Sequence, residues 1–238
     1  QFRPKENTMA MDPTIRRAAS ATTATGRGAL STDVQRVLRN TYALLAMTLL
    51  WSALVAATSM AMGWPHPGVL LTLAGFFGLF FLVTRVRNSA MALPAVFALT
   101  GFMGYTLGPI LAAYAAIPGG SGTIMLALGA TGATFLALSA YALTSRRDFG
   151  FMGGFLFAGM VVAILAGLAA IFFSIPTLAL VVAAMVAVLA SGLILFETSR
   201  IVNGGETNYV MATVGLYVSI YNLFTSLLAL LGMGGNSE

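Results

Sequence analysis

The chain has 238 residues, of which 58% are hydrophobic and 8% charged, with a net charge of +5 and no cysteine. A water-soluble domain carries charge on about a quarter of its residues, so too little is present to cover a surface in water, and disulfides and thiolate metal sites are excluded. The basic residues are one lysine and scattered arginines; with no basic face interleaved with aromatics, nucleic acid is not an expected partner.

Residues 1–39 are rich in Ala, Thr, Ser and Arg and poor in large apolar side chains, which predicts a disordered basic tail. Met9 and Met11 are candidate natural starts, which would make the residues ahead of them foreign to the native chain. Ser31-Thr32-Asp33 is a capping sequence for a helix running into the first apolar run. That run lacks a small-residue cleavage site, so it reads as a retained span and not a leader.

Seven apolar runs follow, at 41–62, 68–84, 89–116, 123–144, 150–173, 177–199 and 208–232. A membrane span needs about 20 such residues. The runs are long and continuous, unlike the roughly ten-residue alternating segments of a barrel, and helices are then the structure that pairs every backbone group in lipid. The breaks carry turn chemistry: Trp64-Pro65-His66-Pro67-Gly68, the Ile117–Gly122 stretch, Ser174-Ile175-Pro176 and Asn203-Gly204-Gly205. Pro94 and Pro109 predict a tilt or kink in the third span. The expected fold is an all-α membrane protein with seven transmembrane helices over 40–232 and a short external tail at 233–238.

Charge sets the orientation. Seven basic residues lie ahead of the first span; Arg85 and Arg87 follow the second, Arg146 and Arg147 the fourth, and Arg200 ends the sixth. The other loops have none. By the positive-inside rule the basic side is cytoplasmic, and an odd number of spans places the C-terminus outside.

Ionisable groups inside a membrane are costly, so they mark candidate function. Among the acids only Glu197 adjoins a long apolar run. It reads either as a proton- or cation-sensing carboxylate facing the bundle interior, or as a helix-end residue paired with Arg200 at i+3. Arg85 and Arg87 are topology signals, and either could reach back to Glu197. Asp33 reads as a helix cap, and Asp148, after Arg146 and Arg147, as a loop ion pair or a cap for the fifth span; Glu206 reads as a cap or a partner contact. In the last span Gly215, Ser219, Asn222 and Ser226 share one face: packing glue, or a polar path. Tyr217, Tyr221, Ser219 and Asn222 are candidate hydrogen-bond partners for Glu197. Gly104-xxx-Gly108, Gly150-xxx-Gly154 and the pair Gly129 and Gly132 are close-packing signals. His66, between two prolines, reads as a surface residue. No nucleophile–base set, metal cluster or nucleotide motif is present in the sequence, so neither an enzyme nor a cofactor is expected.

Leu195-Phe196-Glu197-Thr198, Asn203-Gly204-Gly205-Glu206-Thr207-Asn208-Tyr209 and Leu216-Tyr217-Val218-Ser219-Ile220-Tyr221-Asn222-Leu223-Phe224 resemble the Bax inhibitor-1 family. The Gly-Gly-Glu-Thr-Asn-Tyr stretch is similar to its bacterial YccA branch, and Thr100–Pro109 also resembles the family. The resemblance covers about residues 40 to 232. It implies six helices around a central seventh and a place in the bacterial inner membrane. It also implies one of two roles. The first is a partner, substrate or inhibitor of FtsH, the membrane-anchored AAA protease, engaged through the cytoplasmic tail. The alternative is a pH-sensitive calcium leak, governed by paired aspartates on spans six and seven and an arginine on span two. Here the first aspartate position holds Glu197 and the second Ser219, which cannot ionise. Two close carboxylates share a proton and a cation; a carboxylate and a serine do not. The protease-partner role is the leading expectation.

Overall fold

The computed structural model describes residues 31–234. Its elements are α1 (Thr32–Ala61), α2 (Val69–Val86), α3 (Ala92–Ala115), α4 (Gly120–Ser145), a 3₁₀ turn (Gly150–Met152), α5 (Gly153–Phe172), α6 (Pro176–Val202) and α7 (Tyr209–Gly234). All seven α-helices are long and apolar enough to cross a membrane. Most of the predicted 1–39 tail, and most of the short C-terminal tail, lie outside the described residues.

The tail boundary needs correcting. Residues 32–39, with Arg36 and Arg39, belong to α1 and not to a disordered segment. At 1.5 Å per residue this 30-residue helix is about 45 Å long, whereas the hydrocarbon layer is about 30 Å thick. Its first turns therefore need not be apolar. Asp33 lies in the first turn of α1, where a negative charge complements the helix dipole.

The last helix is the central one. Half of the apolar window of α7 is buried, against 6% for α2. Its side chains bond or pack directly against four helices. Thr213 donates to the Thr41 carbonyl of α1 (3.3 Å). Tyr217 and Ser52 of α1 share a 2.6 Å hydrogen bond, and Tyr221 and Thr106 of α3 share one of 3.2 Å. Phe224 and Leu228 pack on Ala127 of α4, and Gly215 meets Glu197 of α6. The remaining two helices are carried further out: α2 packs on α3, and α5 on α6.

Close approach of α1 and α3 explains one of the glycine pairs. A Cβ at Gly104 would fall on the Ser52 carbonyl, and one at Gly108 would meet Ser59 and the Ala56 carbonyl. Between α5 and α6 the same role falls to Gly153, Gly159 and Gly192, each with a partner side chain under 3.0 Å from a built Cβ. Gly129, Gly132 and Gly154 face open space, so the expectation of close packing fails there. Gly150 abuts only Asp148 in its own loop.

The prolines of α3 are handled in two ways. Pro94 sits in the first turn, where the missing N–H has no helical partner in any case. Pro109 is internal and deprives the Tyr105 carbonyl, one turn back, of its donor. Ser59 of α1 supplies the replacement, its hydroxyl donating to Tyr105 O at 3.1 Å. Ser59→Ala is expected to cost about 1 kcal/mol through the orphaned carbonyl. With Pro109→Ala in the background, most of that cost should vanish. Thermal unfolding of the four proteins of this cycle in detergent is the check, and additive effects would refute the compensation.

Candidate functional site

The turn between α6 and α7 is built by its two glycines. Asn203 caps α6, and Gly204 takes a left-handed conformation with φ 75°, which glycine adopts without a steric penalty. The Gly205 N–H then bonds the Arg200 carbonyl (2.8 Å) and the Gly204 N–H the Ile201 carbonyl (3.2 Å). This is the Schellman pattern of helix termination. It folds the chain back so that Glu206 faces Arg200, with Oε2 and Nη2 3.3 Å apart. The other Glu206 oxygen accepts the Asn208 N–H (2.9 Å). Asn208 in turn is the N-cap of α7: its Oδ1 accepts the N–H groups of Val210 (2.9 Å) and Met211 (3.1 Å).

Two other loops are fastened to this turn. Asn208 Nδ2 donates to Asn88 Oδ1 (2.8 Å) and to the Arg87 carbonyl (3.2 Å), tying in the α2–α3 loop. Ser199 donates to the Arg147 carbonyl (2.8 Å) and accepts the Phe149 N–H (3.1 Å). Asn203 Nδ2 also reaches the Arg147 carbonyl (3.2 Å), so the α4–α5 loop is held to the end of α6. Asp148 opens the 3₁₀ turn of that loop, accepting the Gly150 N–H at 2.7 Å. The three connections beside Arg85 and Arg87, Arg146 and Arg147, and Arg200 thus meet in one polar clasp.

Glu197 lies one turn inside this clasp. Its carboxylate rests on the α7 backbone, where a Cβ at Gly215 would be 2.9 Å from Cδ. Arg200 stands 3.7 Å away at i+3 and also stacks over the Phe196 ring at 5.5 Å. Arg200 therefore bridges Glu197 and Glu206. The side chains of Arg200, Glu197 and Glu206 are 35%, 16% and 18% exposed, which places the bridge at the rim of the bundle and not in its middle.

The other sequence-predicted partners point elsewhere. The Ser219 hydroxyl donates to the Gly215 carbonyl of its own helix (2.9 Å). Tyr217 bonds Ser52 and the Thr100 carbonyl, and Tyr221 bonds Thr106. The Asn222 side chain joins none of these bonds. Arg85 and Arg87 are exposed and form no ion pair with Glu197; the two ion pairs among the described residues both use Arg200. His66 is exposed and accepts the Gly68 N–H through Nδ1 (3.0 Å). No group of three or more His, Cys, Asp or Glu that could hold a metal occurs among the described residues. Sequence reasoning missed Ser199, Asn203, Asn208 and Asn88 as the clasp. The available signal was a short polar side chain at each helix end, with Asn208 directly ahead of an apolar run.

Known proteins place this architecture. The family model described as inhibitor of apoptosis-promoting Bax1 matches residues 34–236. An uncharacterized protein of Pseudomonas aeruginosa is 52% identical over 206 residues, covering 87% of this chain and 93% of that one. A protein of Escherichia coli K12 named modulator of FtsH protease YccA is 50% identical over 201 residues, covering 84% and 91%. Its counterpart in a second E. coli strain is named inner membrane protein YccA, with the same identity and coverage. This chain belongs to the Bax inhibitor-1 family of membrane proteins, on the side of the family that includes bacterial YccA.

Proposed function

We propose that this protein is an inner-membrane modulator of an FtsH-type AAA protease, acting as its partner or substrate by contact and not by catalysis. The observation that carries this reading is the match along nearly the whole length of the E. coli protein that bears that name. Two features support it. All the basic residues of the loops gather at one end of the bundle, the end where α1 begins, which favours a cytoplasmic N-terminus and an external C-terminus. The clasp of Arg200, Glu206, Asn208 and Asn203 gives that same end an ordered polar surface, with Glu206 as a contact residue.

The residues ahead of Thr32, whose composition predicts disorder, are the proposed handle for the motor. Deleting them should leave the seven-helix bundle intact and lengthen its lifetime several-fold in cells that contain the protease, as followed by pulse-chase. An unchanged lifetime with an intact bundle would remove the tail from the mechanism. A calcium-leak role lacks support: it calls for a second ionisable group at Ser219, and that hydroxyl is committed to the Gly215 carbonyl.

A further inference from the structure

At the level of Tyr42 and Phe135, helices α1 and α4 touch, with ring centroids 6.0 Å apart. Beyond that point, toward the end away from the arginine loops, a cleft of about 500 Å³ separates them. Leu50 and Met60 of α1 form one rim and Leu128 and Gly132 of α4 the other; all four are exposed. The floor is α7, including Tyr217 and Tyr221, with Leu107 and Leu111 of α3. We infer that this cleft is a binding site for one acyl chain of a bilayer phospholipid, drawn from the leaflet opposite the arginine-bearing loops.

Chemistry selects hydrocarbon. The few polar side chains on the wall are already partnered inside the protein. Tyr217 is bonded to Ser52 and Thr100, Tyr221 to Thr106, and Thr131 to the Ala127 carbonyl at 2.7 Å. No wall carboxylate, amine or amide is present. A polar ligand would gain no new partner there, and water does not settle in an apolar space without two or more polar groups to hold it.

Dimensions select a single chain. The cleft follows α1 from Leu49 to Met60, about 16 Å at 1.5 Å per residue, which is close to half of the roughly 30 Å hydrocarbon layer. A partner's transmembrane helix is about 10–12 Å across and would need the full depth, which the Tyr42–Phe135 contact closes off. The volume falls within the range of about 300–1,000 Å³ typical of small-ligand pockets. The site also differs from the general lipid-facing surface: its floor is buried, so a chain lying in it is enclosed on three sides, whereas Phe155 and Phe157 of α5 are 72% and 73% exposed.

The test uses the full-length protein in nanodiscs of phosphatidylethanolamine, with a small fraction carrying a diazirine on one acyl chain. After irradiation, adducts are mapped by mass spectrometry. Adducts at residues 49–60 and 128–135 should exceed those at Phe155 and Phe157 several-fold. Gly132→Phe should then remove the cleft adducts and leave the α5 adducts unchanged. A Cβ at Gly132 meets nothing within 4 Å, so the substitution starts without a clash at the helix surface. Ala57→Trp, from the opposite wall, fills the same space and serves if the first variant does not fold. Equal labelling of cleft and α5, or cleft labelling that survives in a folded filled variant, would overturn the proposal. So would crosslinks between two copies, in place of lipid adducts, from a photoreactive amino acid placed at Leu50.

Discussion

Gly104→Leu is expected to lower the unfolding temperature of this protein in mild detergent by roughly 6–12 °C. The new Cβ would land on the Ser52 main-chain carbonyl, and a carbonyl within a helix cannot rotate aside as a side chain can. Helices α1 and α3 would have to separate along a seam that also includes Gly101, whose built Cβ lies 2.8 Å from Trp51 Nε1, and Gly108 against Ser59. Overpacking typically costs about 1–3 kcal/mol, occasionally more; a backbone obstacle argues for the top of that range, a large share of a marginal stability. Gly129→Leu is the control. Its side chain enters open space, and leaving glycine in a helix gains up to about 1 kcal/mol of propensity. Size-exclusion profiles after a temperature ramp should rank Gly129→Leu at or above the parent and Gly104→Leu far below it. Equal profiles for Gly104→Leu and the parent would refute the close approach of α1 and α3.

Tyr217→Phe should be the most damaging loss of a single hydroxyl. That group joins three helices: it shares the 2.6 Å bond with Ser52 of α1 and lies 3.3 Å from the Thr100 carbonyl of α3. Polar pairs between membrane helices are worth on average about 0.6 kcal/mol and at most about 1.7. The Ser52–Tyr217 pair belongs near the upper limit, because both side chains are buried and Ser52 would be left with an unmatched hydroxyl. Ser52→Ala alone should cost about as much, and the double variant little more than either single. Strict additivity of the three unfolding midpoints would show that the pair is not coupled.

These two sites also show where sequence reasoning stops. Seven spans, their proline and glycine breaks and the Glu197–Arg200 pair are all legible, because each depends on neighbours within a few positions of chain. Which glycines pack closely is not. Gly104 with Gly108 and Gly129 with Gly132 are both small-residue pairs along one helix, yet only the first pair faces another helix. The tyrosines mislead for a related reason. Gly215 faces Glu197, and Tyr217 lies two residues further on, about 200° around the helix axis at 3.6 residues per turn. Its hydroxyl is therefore directed at α1 and α3, away from α6. Ser219 does return to the Glu197 side, one turn along, but its hydroxyl takes the nearer acceptor in its own helix. The length of α1 is hidden by Arg36 and Arg39, whose charges suggest a tail when they mark a helix that outruns the membrane.

That overlong first helix has a mechanical consequence. In the proposed role, a motor pulling on the chain ahead of Thr32 would load α1 before any other helix. Trp51 bonded to the Phe97 carbonyl, Ser52 to Tyr217 and Ser59 to the Tyr105 carbonyl are spaced over about two helical turns of α1 and tie it to its neighbours α3 and α7. Drawing α1 out of the bundle would require all three to break. A protein fastened in this way would, in that proposed role, be slow to extract and would occupy the protease for as long as the three ties survive together.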